Sequence, residues 1–292
     1  MANVNGKTSE PQRKADTEGN FYPRASSATG PGMNARIQRL RKQSVETEPS
    51  LSIERALHET RFYKENDGRF SAPVMRAKNF LEHCRQKTIY LGEDELIVGE
   101  RGPCPRSVPT FPELTCHSVQ DFEVLNNREQ QRYKISEKDI AIYAEEVIPY
   151  WQGRTIRERI FDHVPDAWLA AYEAGLFTEF MEQRAAGHTA LDGQVYRHGM
   201  LDFKRQISAA IEALDYLNDP QATDRFEQLT AMDISCDAVI VFAERHAELA
   251  EQLAKKERDP QRVEELQRIA EVCRWVPANK PRNFHEAIQM YW

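Results

Sequence analysis

The sequence predicts a mostly helical fold, and three observations support this. Much of the chain repeats apolar residues at intervals of three or four, as in the predicted helix over residues 201–217. Helix-start patterns are frequent, such as Pro73 in a first turn and the pair Ser136 and Asp139, which resembles a capping box. A short strand is predicted at one place, the aliphatic run over residues 96–98 between two glycines.

The predicted elements follow one another along the chain. Residues 1–33 combine Gly, Ser, Thr, Pro, Asn and charge with few aliphatic side chains, which predicts a disordered tail. The helical pattern begins near Met33. Further helices are predicted over residues 52–63, 73–86, 136–147, 165–185, 201–217, 223–256, 262–273 and 284–292. Ser52 and Asn283 are candidate N-caps.

Residues 99–120 carry four prolines and are predicted to form a loop. Cys116 beside His117 suggests a thiolate nucleophile, but adjacent side chains of an extended segment point apart, so this hypothesis is the weaker one. The chain has five cysteines and no Cys-x-x-Cys pattern. Reduced, mostly buried thiols are therefore predicted rather than disulfides or a zinc site.

Composition excludes several classes of function. The net charge of -7 argues against a general nucleic-acid binder. No run of about 18 apolar residues occurs, so no membrane-spanning helix is predicted. The polar N-terminus lacks the apolar segment of a secretory signal, which makes the cytoplasm the expected location.

Residues 177–189 are the candidate wall of a small-molecule pocket. Phe180 lies on the apolar face of the predicted helix, Gly187 releases that helix, and His188 follows at once. A titratable imidazole among aromatic and small residues suits a ligand pocket. From the residues alone, a solvated histidine at the end of a surface helix is the commoner alternative.

Several longer segments carry a resemblance to a known family. They are residues 52–56 (SIERA), 94–100 (DELIVGE), 145–151 (EEVIPYW), 168–188 (WLAAYEAGLFTEFMEQRAAGH) and 285–292 (HEAIQMYW). In this order they resemble the N-terminal half of the glycyl radical enzymes of the pyruvate formate-lyase superfamily, from about residue 35 onwards. The resemblance implies the helical N-terminal part of a ten-stranded α/β barrel. Residues 34–292 would then be a truncated portion of that domain.

The resemblance also implies an activity, a C–O lyase that dehydrates trans-4-hydroxy-L-proline. Phe180 would pack against the substrate ring, and His188 would hydrogen-bond the substrate hydroxyl and protonate it as it leaves. The family's Gly-Cys-x-Glu and Arg-Val-x-Gly-Tyr motifs do not occur in these 292 residues, so the chain alone should be inactive. An activase with an iron–sulfur cluster and S-adenosylmethionine would install the glycyl radical in the missing part. A homodimer is expected.

Two kinds of alternative stay open. The first is another glycyl radical lyase, such as an isethionate sulfite-lyase, a glycerol or diol dehydratase, or a formate acetyltransferase-like enzyme. Arg184 suits a sulfonate, although an ion pair with Glu182 or Glu179 is the simpler explanation. Ala186 stands where the pattern of the hydroxyproline-specific enzymes has proline. The second is a non-catalytic helical binding protein, if the chain ends at Trp292. The apolar end over residues 290–292 favours a sequence that continues.

Overall fold

The computed structural model describes residues 34–178 and 192–292, so the predicted tail over residues 1–33 lies outside them. The α-helices are α1 (Ala35–Glu46), α2 (Glu54–Asn66), α3 (Ala72–Gln86), α4 (Val119–Asn127), α5 (Glu137–Ile142), α6 (Ile148–Trp151), α7 (Ile156–Phe161), α8 (Asp166–Glu173), α9 (Met200–Glu212), α10 (Ala222–Ala254), α11 (Pro260–Trp275) and α12 (Phe284–Tyr291). A π-helical stretch (Tyr143–Val147) joins α5 to α6, and a 3-10 helix covers Asp192–Tyr196. The prediction of a mostly helical fold is confirmed.

One core is built along α10, a helix of 33 residues against which α3, α9 and α11 pack. Ala247 and Ala250 of α10 meet Ile269 of α11 in one buried cluster, and Ala231 meets Val74 of α3 in another. Small side chains on α10 let its neighbours approach closely, because the distance between helix axes depends on the side chains at the contact.

A second core lies between α2, α4 and the continuous helix from α5 to α6. Phe122 and Tyr143 are fully buried there, with their rings edge to face and centroids 5.0 Å apart. Trp151 donates its indole N–H to the buried hydroxyl of Thr60 at 2.9 Å. Trp151 is buried in this core, while the neighbouring Tyr150 is half-buried.

The predicted strand over residues 96–98 is wrong. The strands described are β1 (Ser50–Ser52) and β2 (Ser107–Pro109), which pair in parallel. A side chain of α12 takes the place of a strand partner for residues 96–98. The N–H of Val98 donates to Gln289 Oε1 at 2.9 Å, and Gln289 Nε2 donates to the Val98 carbonyl at 2.8 Å. Val98 itself is buried against α10 and α11, which explains the aliphatic run.

Two predicted helices end earlier than expected. Helix α8 ends at Glu173 instead of continuing towards residue 185. Gly175 has a φ of +73°, a left-handed conformation that ends helices and that glycine adopts without strain. Helix α9 ends at Glu212 instead of residue 217. The carboxylate of Asp215 accepts the backbone N–H of Leu217 at 3.1 Å, and this local turn competes with the helix.

Candidate functional site

The predicted pocket residues Phe180 and His188 lie in the stretch 179–191, outside the described residues. Glu182 and Arg184 lie there too. The elements on either side of this stretch are described: α7 and α8 precede it, and the 3-10 helix and α9 follow it.

Four aromatic side chains join α7 to α8 just before this stretch. This aromatic cluster consists of Phe161, Trp168, Tyr172 and Phe177. Trp168 and Tyr172, four residues apart on one face of α8, stack with centroids 5.4 Å apart and planes at 7°. Phe161 and Phe177 meet Trp168 edge-on, at centroid distances of 5.6 and 5.0 Å. Each such contact stabilises by about 0.5–1.5 kcal/mol beyond the area it buries, so the aromatic cluster holds α8 to α7.

Arg157 contributes to the same junction from α7. Its guanidinium lies 4.2 Å from the ring centroid of Phe161, and Nη2 donates to the Tyr172 hydroxyl at 2.6 Å. A cation over an aromatic face and a charge-assisted hydrogen bond both favour one arrangement of the two helices.

The start of α7 is fixed by a capping box and by the proline-rich loop. The Thr155 hydroxyl accepts the N–H of Glu158 at 3.0 Å, and the Glu158 carboxylate accepts the N–H of Thr155 at 3.1 Å. In the same turn, Ile156 donates its N–H to the carbonyl of Glu113 at 2.9 Å. Helix α7 therefore begins at a defined point on the loop.

The chain enters α9 at an equally defined point. The N–H of Met200 donates to the carbonyl of Pro277 at 2.8 Å. A Cβ atom on Gly199 would lie 2.3 Å from the carbonyl oxygen of Ala278, so only glycine permits this approach of two backbones. Both flanks of the stretch 179–191 are thus tied to the body of the protein.

An open cleft of about 1410 Å³ lies between α2, α3, α7 and α9. Its aromatic lining includes Tyr63, Phe80, Trp151 and Phe203. One polar part of the lining, called the polar wall below, consists of Arg55, Glu59, Asn79 and Glu113. Helices α7 and α9 therefore border the cleft and also flank the stretch that contains the predicted pocket residues.

The polar wall places one buried and one half-buried carboxyl group beside one guanidinium. Glu59 and Asn79 are only 3% and 6% exposed. The Arg55 guanidinium contacts Glu59 and donates to the two oxygens of Glu113 at 2.7 and 3.1 Å. Asn79 Nδ2 donates to Glu59 Oε1 at 3.0 Å, and the ring of Phe111 lies 4.1 Å from the guanidinium.

The pKa shifts of these two carboxyl groups favour one shared proton, held by Glu59. Burial raises the pKa of Glu59 well above its usual value, and a hydrogen bond with Glu113 raises it further. Burial also acts to raise the pKa of Glu113, but hydrogen bonds from Glu59 and Arg55 outweigh it, so that pKa is lowered. Glu59 Oε2 is buried with no donor to accept from, and protonation would let this oxygen donate to Glu113. Arg55 and Glu113 then form a balanced pair of charges, as burial requires.

The nucleophile hypothesis for Cys116 and His117 finds no geometric support. Cys116 Sγ lies 3.8 Å from the Tyr143 hydroxyl, while the His117 ring faces Phe122 with centroids 5.3 Å apart. Burial raises the pKa of the Cys116 thiol and lowers that of the His117 imidazole. A neutral thiol and a neutral imidazole that face different partners do not activate each other.

Within residues 34–178 and 192–292, no helix is long and apolar enough to cross a membrane. The same ranges contain no group of three or more His, Cys, Asp or Glu side chains arranged to hold a metal ion. The five cysteines are free, and Cys84, Cys236 and Cys273 are buried, as predicted for mostly buried thiols.

Comparison with known sequences gives one family. The family model described as Pyruvate formate lyase-like matches residues 29–292. Trans-4-hydroxy-L-proline dehydratase from Clostridioides difficile is 45% identical over 261 residues, which cover 89% of this chain and 33% of the relative. Isethionate sulfite-lyase from Oleidesulfovibrio alaskensis is 34% identical over 84% of this chain and 30% of the relative.

Solved structures agree with the sequence comparisons. The crystal structure of hydroxyproline dehydratase from Clostridioides difficile with trans-4-hydroxy-L-proline bound has a TM-score of 0.86 at 45% identity, covering 89% of this chain and 33% of that one. The glycerol-bound B12-independent glycerol dehydratase from Clostridium butyricum has a TM-score of 0.83 at 29% identity, covering 89% and 33%. The chain thus spans about a third of the length of the curated relatives it matches.

Proposed function

The chain belongs to the pyruvate formate lyase-like family, and on that premise we propose that it is the N-terminal part of a glycyl radical lyase that dehydrates trans-4-hydroxy-L-proline. One observation carries the choice of substrate. The identity is 45% with a trans-4-hydroxy-L-proline dehydratase, against 32% with an isethionate sulfite-lyase and 26% with a sulfopropanediol dehydratase. The named relatives include both dehydratases and lyases.

We assign Phe180 and His188 the two substrate contacts that this chain supplies. Phe180 packs against the substrate ring. His188 hydrogen-bonds the substrate hydroxyl and protonates it as the C–O bond breaks, since hydroxide is a poor leaving group and an imidazole near neutral pH is a suitable donor. The support is the likeness of residues 168–188 to the family, together with the fixed elements α7, α8 and α9 on either side.

The remaining chemistry requires groups outside these 292 residues. A cysteine and a glycyl radical in the longer enzyme supply the radical chemistry, and an activase carrying an iron–sulfur cluster and S-adenosylmethionine installs the radical. The five cysteines here are not part of a Gly-Cys-x-Glu motif, so the chain alone is expected to be inactive. A homodimer and a cytoplasmic location stay predictions.

The test is His188→Ala in the full-length enzyme after activation. We expect dehydration of trans-4-hydroxy-L-proline to be abolished while the radical signal in electron paramagnetic resonance keeps its intensity. His285→Ala is the matched control, because His285 is on α12 and its Nε2 contacts only the backbone carbonyl of Leu96 in the described contacts, at 2.9 Å. Turnover that survives in His188→Ala would remove the imidazole from the mechanism.

The leading alternative is a lyase that acts on isethionate. Isethionate sulfite-lyases from four organisms are 29–34% identical to this chain, and Arg184 has the charge that a sulfonate requires. Full-length activated enzyme offered each substrate separately distinguishes the two. Release of sulfite from isethionate, without turnover of trans-4-hydroxy-L-proline, would establish the alternative.

A further inference from the structure

The α7–α8 arm, defined as residues 155–177, keeps its shape without an apolar core. Neither α7 nor α8 contains a buried residue. Burial of aliphatic side chains therefore does not fix the angle between the two helices. The arm is held instead by the half-buried rings of the aromatic cluster and by Arg157, which contacts both helices.

Arg157 links the two helices of this arm and is called its joint below. From α7, its guanidinium lies 4.2 Å from the ring centroid of Phe161 and 5.6 Å from that of Tyr172. It also donates to the Tyr172 hydroxyl at 2.6 Å. A planar guanidinium with fixed donor directions restricts both helices more than a flexible side chain does. Methionine at this position fills the volume of the stem but offers neither charge nor donor, so α8 becomes freer to turn about α7.

The base of the arm is joined to the buried polar wall. Glu113 connects them, because its carboxylate accepts from Arg55 while its carbonyl accepts the N–H of Ile156. The arm therefore has a fixed base at Ile156, a joint at Arg157 and a tip at Phe177.

Phe177 lies two residues before the stretch that contains Phe180 and His188. We propose that Arg157 is a positioning residue for substrate binding, because by fixing α8 against α7 it sets where the chain leaves the arm. This inference rests on the proposed function, in which Phe180 and His188 contact the substrate. A displacement of about 1 Å in a substrate-contacting group can cost about 100-fold in rate, so a loosened joint has a measurable effect.

The test uses the full-length enzyme, activated to equal radical content, as wild type, Arg157→Met, Arg157→Lys and Tyr172→Phe. We expect Arg157→Met to lower kcat/KM for trans-4-hydroxy-L-proline by about tenfold or more. KM should rise and kcat should fall, because one of the positioned groups binds the ring and the other protonates the hydroxyl. Lysine keeps a cation and a donor and should restore part of the loss. Tyr172→Phe removes only the hydroxyl that accepts from Arg157, so it should lower kcat/KM less than Arg157→Met does.

Hydrogen exchange gives a second measurement that does not depend on turnover. Exchange over residues 166–177 should be faster in Arg157→Met than in the wild type, because the joint no longer limits local opening. Arg128→Met is the matched control, since Arg128 also lies over a tyrosine, Tyr133, at 5.8 Å, on another part of the surface. It should leave the kinetics and the exchange over residues 166–177 unchanged.

The outcomes separate this inference from the proposed function. Faster exchange over residues 166–177 with wild-type kcat and KM would make Arg157 a structural residue only and overturn its positioning role. A lower kcat with an unchanged KM in every variant would indicate loss of active enzyme and would also count against it. A wild type that carries the radical but does not turn over trans-4-hydroxy-L-proline would instead refute the proposed function, and the inference with it.

Discussion

Replacing Glu59 with glutamine should stabilise the protein at neutral and alkaline pH. The amide keeps the contacts of the protonated carboxyl group: its oxygen accepts from Arg55 and Asn79, and its N–H donates to Glu113. In the unfolded chain Glu59 loses its proton near its usual pKa of 4.5, whereas burial raises the pKa in the folded chain well above that value. Between these two pKa values the folded state holds one proton more than the unfolded state. The contribution of Glu59 to stability therefore falls as pH rises, by about 1.4 kcal/mol per pH unit.

The assay is urea unfolding of the wild type and of Glu59→Gln at a series of pH values from about 5 to about 8. The free energy of unfolding of the variant, relative to the wild type, should increase by about 1.4 kcal/mol per pH unit until folded Glu59 ionises. Glu146→Gln is the matched control, because Glu146 pairs with Arg61 at the surface and such a pair contributes little to the free energy of unfolding. Parallel pH curves for the wild type and Glu59→Gln would mean that folded Glu59 is ionised, and would refute the shared proton.

Two further substitutions test how the elements around the cleft are held. Gly199→Ala places a Cβ atom 2.3 Å from the carbonyl oxygen of Ala278, so thermal unfolding should show a loss of about 1–3 kcal/mol, and unchanged stability would contradict the close approach. Thr60→Val removes the acceptor of the buried Trp151 N–H and should cost about 1–3 kcal/mol in urea unfolding. Ser235→Ala is the comparison variant, because the Ser235 hydroxyl donates to the carbonyl of Ala231 in its own helix. An equal loss of unfolding free energy in both variants would show that the contact with the Trp151 indole contributes nothing.

The positions of most helices were predictable because they depend on local sequence patterns. The prediction failed where contacts with residues distant in the sequence determine the backbone conformation. Residues 96–98 have the composition of a strand, but a side chain from α12 satisfies the Val98 backbone. The short helices α4 and α7 were not predicted, although Ser118 with Asp121 and Thr155 with Glu158 form capping boxes that sequence inspection can find.

The polar wall could not be predicted from the sequence, because it too depends on a contact between residues far apart in the chain. Arg55 and Glu59 lie four residues apart on α2, a spacing that ordinarily indicates a solvated pair. Glu113, the residue that turns this pair into a buried cluster, is 58 positions from Arg55. Phe180 and His188 as substrate contacts rest on the family resemblance alone and stay a prediction.

Glu113 connects the polar wall to the α7–α8 arm. Glu113 uses its carboxylate to meet Arg55 and Glu59 and its backbone carbonyl to hold Ile156. If Glu59 loses its proton, two negative carboxylates face one guanidinium and repel each other, and Glu113 is the less buried of the two side chains. A shift of Glu113 that moves its backbone carbonyl moves the acceptor of the Ile156 N–H at the base of α7. The carboxyl pair and the base of the arm therefore meet at Glu113, whose side chain belongs to one and whose backbone holds the other.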